Sequence, residues 1–105
     1  MDLALHYAAA LLGTIAIETA LARLLAPGAW GRLRIDTPLL NLLSHPLLTW
    51  VVWRGVLSVP AAEIGVMALE AVGYRLLTRL SWSRAVGLSV VLNGVTWLVG
   101  ILLFS

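Results

Sequence analysis

The stretch RAVGLSVVLNGVTWLVGILLF, residues 84–104, has a base at its first position and no acid or base after it. It is long enough to cross the hydrocarbon of a bilayer, which takes about 20 mostly apolar residues at about 1.5 Å each. A helix apolar all round is either buried in a large protein or in lipid. Its polar groups Ser89, Asn93 and Thr96 are spaced four and three apart and therefore share one face. One polar stripe on such a helix marks the side turned to other helices, because lipid offers no hydrogen bonds.

Three further segments have the same character, residues 3–25, 38–57 and 60–80. The expected fold is all-α. It is a polytopic membrane protein with four transmembrane helices in an antiparallel bundle, forming one membrane domain over residues 1–105. Local chemistry marks the boundaries. Ala26-Pro27-Gly28 stops the first helix, and Asp36-Thr37-Pro38 reads as a cap followed by a first-turn proline. Ser58-Val59-Pro60 gives the same signal for the third helix, and Ser81-Trp82-Ser83 supplies a turn before the fourth. The connections expected are about 12, 2 and 3 residues long, so consecutive helices are antiparallel neighbours. No internal repeat stands out in this reading.

Composition supports it. Of the 105 residues, 61% are hydrophobic and 11% charged, where a soluble domain carries roughly a quarter charged. Mean hydropathy is +0.98. A soluble monomer, a disordered chain and a nucleic-acid binder are excluded, and the absence of cysteine removes disulfide scaffolds and thiolate metal sites. The pI near 9.9 comes from seven Arg, with no Lys, spread along the chain. Arg23, Arg32 and Arg34 lie at the first connection, and Arg75, Arg79 and Arg84 at the third; Arg54 alone is near the second. That bias puts the first and third connections in the cytoplasm and both termini outside, in the plasma (inner) membrane of a bacterium. Asp2 fits this orientation, and Asp2 followed by a long apolar run and Arg23 does not read as a cleaved signal peptide. His6 falls in the outer turn of the first helix. Tyr7, Trp30, Trp50, Trp53, Trp82 and Phe104 fall near span ends, as an interfacial belt does, while Trp97 lies deeper.

Depth then sorts the polar residues within the spans. Glu18 and His45 lie about 10 Å from the cytoplasmic ends of their helices, Tyr74 about 9 Å, Asn93 about 13 Å and Glu70 about 15 Å. Asn41, His45 and Thr49 are four apart on the second helix; Thr14 with Glu18, and Glu70 with Tyr74, have the same spacing. Turning these stripes inward gives a polar interior in which Glu18, His45 and Glu70 meet. A charge at a helix centre costs on the order of 3 kcal/mol on insertion scales. Packing alone would be served by Gln or Ser, so a retained carboxylate points to proton sharing, pairing with His45 or a bound cation. Glu63, near the start of its helix, reads instead as a rim group paired with Arg54 or exposed.

Enzyme chemistry finds no footing: there is no phosphate loop, nucleophile elbow or His-Glu-x-x-His pair, and no cofactor is expected. A metal, if bound, falls to Glu18, His45 and Glu70. The segment Leu12-Gly13-Thr14-Ile15-Ala16-Ile17-Glu18, with the chain's size and four spans, resembles in architecture the small multidrug resistance transporters. The resemblance implies transport. It does not extend to that family's third-helix pattern of aromatic and glycine residues, where Glu63 and Glu70 stand here, and the Arg bias opposes the dual insertion of some members.

Two functions follow as expectations. One is a proton- or cation-linked transport or channel unit, oligomeric, with Glu18, His45, Glu70, Asn41, Asn93 and Tyr74 as ion- or proton-binding groups. The other is a non-catalytic structural or assembly subunit of a larger membrane complex, the polar layer acting as hydrogen-bonding glue. The partners expected are the lipid bilayer and either copies of itself or larger subunits.

Overall fold

The computed structural model describes residues 3–104, and the side chains of all of these but 3, 4, 6 and 104. The expectations for Asp2, His6 and the Phe104 ring lie outside this description. Four helices account for most of the described chain: α1 (Leu3–Leu25), α2 (Trp30–Trp53), α3 (Val59–Gly73) and α4 (Trp82–Phe104). They form an all-α bundle in which α1 packs against α2 and α4, and α3 against the same two. Two helices, α1 over Tyr7–Leu25 and α4 over Trp82–Leu103, are long and apolar enough to cross a membrane. In α2 the apolar content is diluted by Arg32, Arg34, Asp36, Asn41 and His45. α3 stops after 15 residues and continues as a π-helical turn, Tyr74–Thr78.

The first connection is much shorter than the sequence suggested. A single 3-10 turn, Pro27–Ala29, leads straight into α2, which runs through Pro38 and Pro46. Asp36 and Thr37 do not cap a helix, because tertiary partners claim both. The Thr78 hydroxyl donates to Asp36 Oδ2 at 2.7 Å, and the Thr37 and Tyr74 hydroxyls share a bond of 3.0 Å. Leu33, in the supposed loop, is fully buried in the apolar core with Ala22, Leu40 and Leu92. Burial of that extra turn outweighs the ladder bond lost at Pro38.

The second connection, Arg54–Ser58, is longer than expected. Gly55 has φ +74 and ends α2. The Gly55 N–H bonds the Val52 carbonyl and the Val56 N–H the Val51 carbonyl, both at 3.0 Å, the paired closure that a left-handed glycine permits. Ser58 caps α3 as expected, accepting from the Ala61 N–H at 3.4 Å, and Ser81 accepts from the Arg84 N–H at 3.4 Å. Arg79, at φ 62, closes the π turn.

The bundle interior holds an unusual share of polar side chains. Among the largest fully buried side chains are Tyr74, Glu18, Glu70, Asn41, Asn93, Thr37, Ser44 and Ser89, with only Leu33 and Leu92 apolar. Leu24, Trp53 and Leu102 are each more than 70% exposed.

Gly73 of α3 lies against a side chain of α2. A Cβ there would collide with the Leu40 side chain of α2. Gly73→Val is expected to destabilise the bundle by about 1–3 kcal/mol through overpacking, measured as earlier thermal unfolding in detergent.

Candidate functional site: two carboxylates without a basic partner

Glu18 and Glu70 project from α1 and α3 into the centre of the bundle, and both are fully buried. Each of their four oxygens accepts one hydrogen bond. The Asn41 amide donates to Glu18 Oε1 at 3.3 Å and the Thr96 hydroxyl to Oε2 at 2.8 Å. The Asn93 amide donates to Glu70 Oε1 at 3.0 Å and the Ser44 hydroxyl to Oε2 at 2.6 Å. Both asparagines also donate to the carbonyl four residues back, Asn41 to Thr37 at 3.0 Å and Asn93 to Ser89 at 2.9 Å. That second bond anchors each amide to its own helix and fixes its direction.

Every donor in this network is neutral. Five of the seven arginines have partners elsewhere: Arg23, Arg54 and Arg75 lie over Trp30, Trp50 and Trp82 at 5.4, 5.9 and 5.7 Å. Arg32 donates to the Leu77 carbonyl and Arg34 to that of Gly31. Arg54 thus does not make the rim pair expected with Glu63. Glu63 itself is half-buried.

Of the residues singled out by depth, the structure joins Glu18 with Asn41, and Glu70 with Asn93. Tyr74 is fully buried one turn below Glu70 but bonds Thr37, not a carboxylate. His45 is half-buried, makes no bond to either acid, and has a buried Nε2 with no partner. Among the described residues no three His, Cys, Asp or Glu side chains converge where a metal ion could sit, so the trio Glu18, His45 and Glu70 does not form a ligand set.

Ser44 and Thr37 were not among the sequence candidates. Spacing of four drifts around a helix by about 40° per step, so the stripe Asn41, His45, Thr49 leaves the interior and Thr49 is exposed. The inward face of α2 is Leu33, Thr37, Leu40, Asn41 and Ser44.

An internal repeat, not evident in the span pattern, would have found them. Advancing the chain by 52 positions, without a gap, superposes Gly13, Glu18, Arg23, Trp30, Arg32 and Asn41 on Gly65, Glu70, Arg75, Trp82, Arg84 and Asn93. Thr37 falls on Ser89 and Ser44 on Thr96. The repeat holds in space. Both Asn-to-Glu bonds span 23 residues and join the helices of one hairpin, α1 to α2 and α3 to α4. Both hydroxyl bonds, from the residue three beyond each Asn, cross to the other hairpin. Both Arg–Trp stacks recur. Two hairpins of two helices each run in the same sense, so a pseudo-two-fold axis runs along the bundle. No protein-family model, curated protein or solved structure matches the chain.

The equivalence is testable. Asn41→Ala and Asn93→Ala each strip one donor from a buried carboxylate, and each is expected to cost about 1–3 kcal/mol. Thermal unfolding in detergent should move by similar amounts for the two variants; a large cost at one site and none at the other would count against equivalent roles.

Proposed function

We propose that the chain is a four-helix membrane bundle that carries protons or small cations across the bilayer, with Glu18 and Glu70 as the sites that load and unload. One observation carries the reading: two fully buried carboxylates held by neutral donors alone. An unpaired charge in such an interior is expensive, and a proton or a bound cation removes the cost. The apolar exterior suits lipid contact, and the long dimension of 39 Å suits a bilayer of about 30 Å of hydrocarbon and about 40–45 Å with headgroups. The α3 helix with its π turn, Val59–Thr78, supplies the third crossing and α2 the second. The Arg bias sets the first and third connections in the cytoplasm.

The network tolerates a change of protonation. Thr96 Oγ1 lies 3.1 Å from the Leu92 carbonyl and 3.2 Å from that of Asn93, besides its bond to Glu18. When Glu18 takes a proton, the Thr96 hydrogen can turn to a backbone carbonyl while its oxygen accepts from the acid. No heavy atom has to move.

Glu70→Gln keeps shape and most hydrogen bonding but cannot titrate. The variant should fold normally and lose pH- or ion-driven flux in reconstituted vesicles. A structural or assembly role gives the opposite pattern: Gln is tolerated in function, while Glu70→Leu costs about 1–3 kcal/mol by stranding the Ser44 and Asn93 donors. Absence of wild-type flux together with a functional Gln variant would end the transport reading. For topology, single cysteines at Val56 and Ser83, both exposed, should label from opposite sides of the membrane.

A further inference from the structure

We infer that the cavity between the first turns of α1 and α3 and the last turns of α2 and α4 is a water-filled vestibule that delivers protons from the outer side to Glu18, and not to Glu70. The inference rests on the transport reading and adds an entrance, a side and a preferred acid.

The cavity has a volume of about 210 Å³ and is lined by Tyr7, Thr14, His45, Glu63, Thr96 and Trp97, among others. That is room for several waters, since about 10–15 Å³ of such space holds one. The lining also needs them. His45 Nε2 and the Tyr7 hydroxyl are buried atoms with no hydrogen-bond partner, an arrangement that costs free energy unless water or a ligand supplies the bond. Thr96 connects cavity and core: it lines the one and donates to Glu18 Oε2 at 2.8 Å in the other. A proton arriving on cavity water passes to Thr96 Oγ1 as Oγ1 releases its own hydrogen to Glu18 Oε2, so one proton enters and one is delivered. The titratable groups around this route are Tyr7 and Glu18 from α1, His45 from α2, and Glu63 and Glu70 from α3; α4 contributes none. The local charge is acidic, which favours protons over anions.

The repeat makes the one-sidedness legible. Tyr7, Thr14, His45 and Thr49 correspond to Val59, Val66, Trp97 and Ile101 in the second hairpin. Tyr7, Thr14 and Thr49 line the cavity and have apolar equivalents that do not, whereas Trp97, the equivalent of His45, lines the same cavity. Neither Glu70 nor its donors Ser44 and Asn93 line the cavity. The two acids therefore match in their hydrogen bonds and differ in access.

The chain lacks cysteine, so single-cysteine variants can be read directly in reconstituted vesicles. Thr14→Cys should react with a membrane-impermeant, positively charged methanethiosulfonate added outside, and modification should abolish proton flux. Val66→Cys, at the equivalent position, should stay unmodified and conducting. Thr96→Val should lose the flux and Thr96→Ser retain it, with both variants as stable as the parent to thermal unfolding within the change that Ser44→Ala causes. Flux in the wild type with equal labelling at both cysteines, with labelling at neither, or with undiminished flux after modification at Cys-substituted position 14 overturns the vestibule alone. Absence of any wild-type proton flux overturns the transport reading, whatever the labelling pattern.

Discussion

The constraint on which the rest of this fold depends is that a buried carboxylate with no basic neighbour must find one donor for each oxygen. Glu18 and Glu70 each meet it with one amide and one hydroxyl, contributed by helices on both sides. Those four bonds fix which faces of α2 and α4 look inward, and so fix the rotation of every helix in the bundle. These bonds are directional and buried, while helices as apolar as α1 and α4 give hydrophobic burial little preference for one rotation over another. The polar layer is what makes the packing specific. Below it, the Thr37–Tyr74 and Asp36–Thr78 bonds hold α2 to the π turn, which keeps the register set at the centre through to the connections.

The internal repeat explains why so few residues suffice. A hairpin with a Glu on its first helix and an Asn 23 residues later closes one bond on itself. Its remaining donor, a hydroxyl one turn past the Asn, reaches across to the acid of the other hairpin. Each half is thus complete in one bond and incomplete in one, and two halves complete each other. The cavity-lining Tyr7, Thr14 and Thr49 of the first hairpin and their apolar equivalents Val59, Val66 and Ile101 then depart from that symmetry without disturbing the layer that carries it.

Much of this was legible in the sequence, but unevenly. The bounds of α1, the Ser58 cap and the inward placing of Glu18, Glu70, Asn41 and Asn93 follow from hydropathy and from the cost of stranding polar groups. The start of α2 did not. Asp36-Thr37-Pro38 carries a strong local start signal, and only the tertiary partners of Asp36 and Thr37, with Leu33 buried behind them, override it. The exclusion of His45 from the carboxylate layer was hidden by the drift of a four-residue spacing around the helix, which carries Ser44 inward instead. The repeat was present in the sequence throughout. Its identities sit at charged, small and aromatic positions separated by apolar residues that interchange freely, so a pattern read by hydropathy passes over it.

The division of labour between amides and hydroxyls bears on what the layer can do. An amide tied to its own helix, as Asn41 and Asn93 are by their bonds to Thr37 and Ser89, offers its hydrogen in one fixed direction. A hydroxyl rotates and can either donate or accept. An acid held by two amides would have no partner there able to turn and accept its proton, since an amide N–H only donates. An acid held by two hydroxyls would be free to titrate but poorly positioned. One of each holds the carboxyl group in place at one oxygen and leaves the other able to gain or lose a proton. Thr96 has two backbone carbonyls to which its hydrogen can turn, whereas the Ser44 hydroxyl bonds Glu70 alone. The asymmetry in access to the two acids therefore has a counterpart in the hydrogen bonding: the acid beside the cavity is also the one whose partner is free to change roles.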